Sequence, residues 1–93
     1  IIVTANGNSD DPFDVVSRCF FPKLGHLEDH VSVYSHTKIG PYWKRRLKKN
    51  TLKAFQASKR EGWIDLDVSD DRVVLKGKAV TVSEGKIFLD NLI

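Results

Sequence analysis

Ninety-three residues, 41% hydrophobic and 29% charged, bound the chain to one globular domain with a modest core. Fifteen Lys and Arg against twelve Asp and Glu leave a net charge of +3, too small an excess to imply nucleic-acid binding. Cys19 is the single cysteine, which excludes an internal disulfide framework, and no run approaches the roughly 18 apolar residues of a membrane-spanning helix.

The chain opens on Ile1-Ile2-Val3-Thr4-Ala5, β-branched and apolar, and Asn6-Gly7-Asn8 turns it. It has no methionine at position 1 and no signal-peptide layout. The expectation is a piece cut or processed from something longer, natural or engineered, in a reducing, cytoplasmic setting. From Phe13 to Phe21, Val15, Ser17, Cys19 and Phe21 alternate with Asp14, Val16, Arg18 and Phe20, which predicts a strand ended by Pro22 and Gly25.

Residues 32–49 predict the one long helix. Val33, His36, Ile39 or Gly40, Trp43 and Leu47 recur at three- and four-residue steps and form its inward stripe. Lys44, Arg45, Arg46, Lys48 and Lys49 crowd its last turns, where positive charge complements the helix dipole, so a solvated helix end is favoured over a phosphate site. Pro41 should bend this helix, because its ring displaces one backbone hydrogen bond.

After Asn50 the period switches to two. Leu52–Ala57 is a strand, and Trp63–Val68 alternates with Ile64, Leu66 and Val68 opposite Trp63, Asp65 and Asp67. Arg72–Lys76, Ala79–Val82 and Ile87–Leu89 follow as further strands between the turns at Asp70-Asp71, Gly77 and Glu84-Gly85. Short strands wrapped around one helix predict an α+β domain.

The chemistry-bearing residues give few local signals. His26, His30 and His36 are spaced four and six apart with no cysteine joining them, so no metal site is expected; His36 reads as a buried, hydrogen-bonded residue. Cys19 lies in an apolar strand and reads as inert. Glu28-Asp29 before a helix reads as a solvated cap.

The segment 14–36, DVVSRCFFPKLGHLEDHVSVYSH, resembles the active-site segment of the PhzF-like (phenazine biosynthesis-like) isomerases. The pattern there is roughly D-x-x-S-R-x-F-x-P-x-x-G-x-x-E-D-x-V-T-G-S-A-H. Asp14, Ser17, Arg18, Phe20, Pro22, Gly25, Glu28, Asp29, Val31 and His36 stand in matching places. Tyr42-Trp43, Phe55-Gln56-Ala57-Ser58, Arg60-x-Gly62 and the run from Arg72 to Gly85 continue the similarity over nearly the whole chain.

The resemblance implies half of a diaminopimelate-epimerase-like fold: a curved, antiparallel-rich sheet or half-open barrel around one central helix. Residues 1–93 would be a single domain equivalent to the second half. It implies that Asp29 stands where the family's aspartate works with a glutamate of the first half to move a proton without a cofactor. The family's Gly-Ser pair, however, is replaced by Val33 and Tyr34, and His26, Leu27 and His30 are further departures in the same loop. Those bulky residues would crowd an anion site at the helix start.

The favoured expectation is therefore a non-catalytic protein-binding module, with His26, Leu27, His30, Val33, Tyr34 and Trp63 as its contact surface and no cofactor or metal. Its partner would be another protein or a second copy, not nucleic acid or membrane. Two alternatives remain: an isomerase whose cleft is completed by self-association, and a structural half that only pairs with itself. Val33 and Tyr34 packing the domain's own core is a further possibility for those two residues.

Overall fold

In the computed structural model, which describes residues 1–91, a parallel pair forms the middle of the sheet. The side chains of Leu24, His26, Leu27 and Asn91 lie outside the described set. β1 (Ile2–Asn6) and β2 (Val15–Phe21) run antiparallel, with Ile2 opposite Cys19 and Asn6 opposite Val15. On its other side β2 meets β4 (Thr51–Gln56) in parallel, Val15 opposite Ala54 and Ser17 opposite Gln56. Parallel neighbours need a long crossover, and α1 (Val33–Leu47) supplies it. β3 (His26–Asp29) takes the edge of β2 that β4 leaves, setting Asp29 opposite Cys19.

β5 (Gly62–Val68) and β6 (Val73–Lys76) complete the sheet as antiparallel neighbours, in the order β1-β2-β4-β5-β6. The result is a mixed α+β fold with one helix against one open six-stranded sheet. Leu52, Ala54, Ile64, Leu66 and Val68 form the core, with Trp43, Leu47, Val73 and Leu75 packed on it. The helix lies close to the sheet because position 40 carries no side chain; a Cβ on Gly40 would stand 3.0 Å from Val68 Cγ2. Trp43 donates from Nε1 to Thr4 Oγ1 at 3.0 Å, which ties α1 to β1.

Asp14 locks the ends of this crossover together. Its carboxylate accepts from Lys49 Nζ at 2.6 Å, just past the helix, and from the Lys53 N–H at 2.8 Å. Burial works to raise the Asp14 pKa, but these two donors outweigh it and hold the carboxyl below its ordinary value.

Several sequence expectations change. Pro41 lies inside α1, which runs unbroken from Val33 to Leu47, so it does not mark an irregular first half of the helix. The residues after Gly25, expected as loop, form β3; it is too short and too charged to show a strand period. Val33 lies on the predicted stripe but is 61% exposed, although Ser35 and His36 in the same turn are buried. Ala79–Val82 and Ile87–Leu89 do not form strands: no ladder includes them, and Leu89–Asn91 is a 3-10 turn. A strand-type sequence remains unpaired when no neighbouring edge receives it.

Candidate functional site

Asp29 ends β3 and Ser32 caps α1, so the residues between them decide what the helix start can do. Ser32 has extended backbone and its Oγ accepts from the Ser35 N–H at 3.1 Å; the Ser35 hydroxyl returns a bond to the Ser32 carbonyl at 3.1 Å. The His36 ring also bonds the Ser32 carbonyl through Nδ1, which makes Nδ1 the donor and fixes that tautomer. Burial pushes the His36 pKa down and the Ser32 carbonyl opposes this in part, so the ring is neutral. His36 Nε2 and Ser17 Oγ are buried with no hydrogen-bond partner among the described residues.

The loop itself is held by β4 and the residues after it. Gln56 is buried; its Nε2 donates to the Asp29 carbonyl at 2.9 Å and its Oε1 accepts from the Ser32 N–H at 2.8 Å. Ser58 donates from Oγ to the His30 carbonyl at 2.7 Å and accepts from the Glu61 N–H at 3.1 Å. Val31 lies directly over Gly62, where a Cβ would come within 1.9 Å of Val31 Cγ2. The motif Phe55-Gln56-Ala57-Ser58 therefore fixes the path of residues 29–32. Sequence reasoning had it only as part of a resemblance, since a polar residue alternating in a strand gives no hint of which backbone it serves.

The two adjacent carboxylates part company. Glu28 forms a two-pronged ion pair with Arg18, at 2.8 and 2.9 Å, which lowers the Glu28 pKa and raises that of Arg18. Asp29 stands opposite Cys19 and so shares the helix-facing side of the sheet with that buried residue. Among the described residues no hydrogen bond or ion pair engages its carboxylate. A proton shift across a carbon centre needs two acid-base groups on opposite faces of that carbon.

The predicted contact residues divide. Val33 and Trp63 line one open groove of about 860 Å³, together with Val31, Ile64, Leu75 and Lys78 among others. Tyr34 is 67% exposed and stands outside that lining, with Lys38 Nζ 5.3 Å from its ring centre. Neither Val33 nor Tyr34 packs into the domain's core. Trp63 faces away from the helix and packs at a tilt in a cluster with Phe55 at 4.7 Å and Phe13 at 6.2 Å. His30 is exposed and contributes its carbonyl to Ser58. The side chains of His26 and Leu27 lie outside the described residues.

The basic helix end is engaged in structure. Lys49 holds Asp14, Lys44 reaches Asp70 at 3.5 Å, and the Arg46 guanidinium lies 4.8 Å from the Tyr42 ring centre. Among the described residues no three His, Cys, Asp or Glu side chains gather as metal ligands, and no helix is long and apolar enough to cross a membrane.

Known proteins resemble this arrangement closely. The family profile described as phenazine biosynthesis-like protein, PhzC-PhzF, matches residues 1–85. An uncharacterized isomerase of Halalkalibacterium halodurans is 46% identical over 89 residues, covering 96% of this chain and 33% of that protein. Mouse phenazine biosynthesis-like domain-containing protein 2 is 46% identical over 76 residues, covering 81% of this chain and 26% of its own length. The crystal structure of a PhzF family protein from Enterococcus faecalis superposes with a TM-score of 0.80 at 43% identity, over 95% of this chain and 33% of that one. The chain thus spans between about a quarter and a third of the length of these relatives. With a profile covering most of its length and a shared fold at high identity, the chain belongs to the phenazine biosynthesis-like (PhzC-PhzF) family.

Proposed function

We propose that residues 1–93 act as a non-catalytic protein-binding module on a PhzF-like fold, with the helix start and the groove beside it as the contact surface. The observation that carries this is the exposure of Val33 and Tyr34, 61% and 67%, in the first turn of α1, beside a loop whose backbone is tied at Asp29, His30 and Ser32. Apolar and aromatic side chains on a rigid base are what a protein contact uses, because little entropy is lost on binding. Trp63 and Val31 extend the same apolar surface along the groove. The occupant is another polypeptide with an apolar face.

The test is selection from a displayed library of random peptides. The wild-type chain should enrich apolar sequences, and Val33→Gly with Tyr34→Ser should lose them while the circular dichroism spectrum stays unchanged. Enrichment that survives both substitutions would place the contact elsewhere.

One observation favours a second reading. Among the described residues nothing engages the Asp29 carboxylate, which shares the helix-facing side with Cys19 and stands where the resemblance puts the family's acid-base aspartate, so a cofactor-independent isomerase completed by a second copy is the alternative. Deuterium exchange into a candidate substrate carbon, present in the wild-type dimer and lost in Asp29→Asn, would favour it over the binding module.

A further inference from the structure

Asn6 ends β1 and is the one asparagine of the chain that precedes a glycine. Such a pair is chemically labile, because the unhindered glycine nitrogen can reach the asparagine Cγ and close a succinimide ring. Yet the fold requires glycine here: a Cβ on Gly7 would run into the Phe13 carbonyl oxygen. The labile pair is thus built into the connection between β1 and β2.

The attacking nitrogen is occupied. The Gly7 N–H donates to the Asp14 carbonyl at 2.8 Å. Asn6 pairs with Val15 in the ladder, so its backbone is extended, and ring closure requires the Asn6–Gly7 linkage to rotate out of that form. Its side chain meanwhile turns Nδ2 toward the Gly7 carbonyl at 3.4 Å. Asp14, the acceptor, is itself held. Its N–H donates to the Lys53 carbonyl at 2.8 Å, and its carboxylate accepts from Lys49 Nζ and the Lys53 N–H. Phe13, which Gly7 touches, has its ring stacked on Phe55 at 5.4 Å. All of these groups belong to this chain, so the arrangement does not depend on what covers its open surfaces.

We propose that Asn6 is a site of spontaneous deamidation that the Gly7–Asp14 bond keeps closed, so that its conversion records opening of the β1–β2 hairpin. When that bond opens, the Gly7 nitrogen gives its proton to solvent base and attacks Asn6 Cγ. The new C–N bond closes the succinimide; the bond from Cγ to Nδ2 breaks, and that nitrogen leaves as ammonia with a proton from water. Water then adds to either ring carbonyl, giving aspartate or isoaspartate, and no oxidant or reductant takes part. Isoaspartate routes the main chain through an extra methylene opposite Val15, which prevents the old ladder from re-forming there. β1 also carries Thr4, the partner of Trp43, so the lesion loosens α1 from the sheet. None of this rests on the Val33–Tyr34 surface.

Ageing the full 93-residue chain at mildly alkaline pH, folded and in guanidinium chloride, tests this. Peptide mapping measures aspartate and isoaspartate at position 6, and circular dichroism confirms that each variant is folded. Conversion should be at least about tenfold slower in the folded chain, the factor that one hydrogen bond held shut supplies. Asn6→Gln should abolish it in both states, because the larger glutarimide ring closes far more slowly. Asp14→Ala removes the bonds that hold the acceptor and should speed the folded reaction severalfold. Lys49→Ala, which removes one of those bonds from outside the hairpin, should speed it to a lesser degree and keeps the test open if Asp14→Ala does not fold. Gln56→Ala, which weakens the fold at the other end of β4, should speed it less than Asp14→Ala. Equal rates in the folded and unfolded chain would overturn the proposal. So would a folded rate indifferent to Asp14→Ala and Lys49→Ala, or one raised as much by Gln56→Ala as by Asp14→Ala, since global unfolding would then be the gate.

Discussion

The side-chain amide of Gln56 accepts the Ser32 N–H at 2.8 Å, so a buried residue at the end of β4 sets where α1 begins. The same amide donates to the Asp29 carbonyl, which fixes the end of β3 relative to the helix. One side chain thus positions both the free carboxylate and the exposed Val33–Tyr34 pair.

Gln56→Ala should leave a buried donor and a buried acceptor without partners, at a cost of about 1–3 kcal/mol. Chemical denaturation should record this as a lower midpoint. Amide exchange at Ser32 should speed up by more than the global loss accounts for. A loss confined to global stability, with Ser32 still protected, would remove Gln56 from its positioning role.

Gly62 is needed because Val31 occupies the space a Cβ would take. Gly62→Ala should destabilise by about 1–3 kcal/mol through overpacking. Val31→Ala in the same chain should return much of that loss, since the two sites share one contact. Independent, additive effects in a double-mutant cycle would contradict the close approach.

Ser17 Oγ is buried with no partner among the described residues. Ser17→Ala should therefore be neutral or slightly stabilising, because it removes a polar atom that gains nothing by burial. A marked loss of stability would mean that the hydroxyl is engaged, and thermal unfolding of the variant decides between the two.

Stability should fall with acid in two stages. The folded pKa of His36 lies below its ordinary 6.5, so the unfolded chain binds the proton more readily. That contribution is complete above 6.5 and is lost as pH falls from there toward the depressed folded value. Asp14 is also depressed, from 3.8, so its contribution is complete above 3.8 and is lost as pH falls through its folded value. Urea unfolding against pH checks this: His36→Gln should flatten the first stage, and Asp14→Asn should reduce the second, which Glu28 and Asp67 share.

Asp29→Asn should leave the fold unchanged, since no described contact uses its carboxylate. Unfolding midpoints within about 0.5 kcal/mol of wild type are expected, as for other substitutions outside packed or bonded positions. A larger loss would show that Asp29 serves the fold and not a site.

The sequence by itself determined the helix, most of the strands and the core. Leu52, Ile64, Leu66 and Val68 fall where a period of two places them, and His36 and Ile39 where the helical period does. It also placed Trp63 on the face away from the helix, because alternation alone decides that. Only the tertiary structure decided the site. Whether Glu28 or Asp29 stays free depends on Arg18 ten residues earlier, and the helix start depends on Gln56 across a parallel crossover. The same holds for Val33: its helical phase points inward, yet the fold leaves it 61% exposed. The fate of residues 79–82 was likewise beyond a periodic pattern, which records that a strand can form but not whether an edge is there to receive it. Periodicity is a local property of the chain, whereas pairing, ion-pair choice and exposure depend on which distant residues the fold brings alongside.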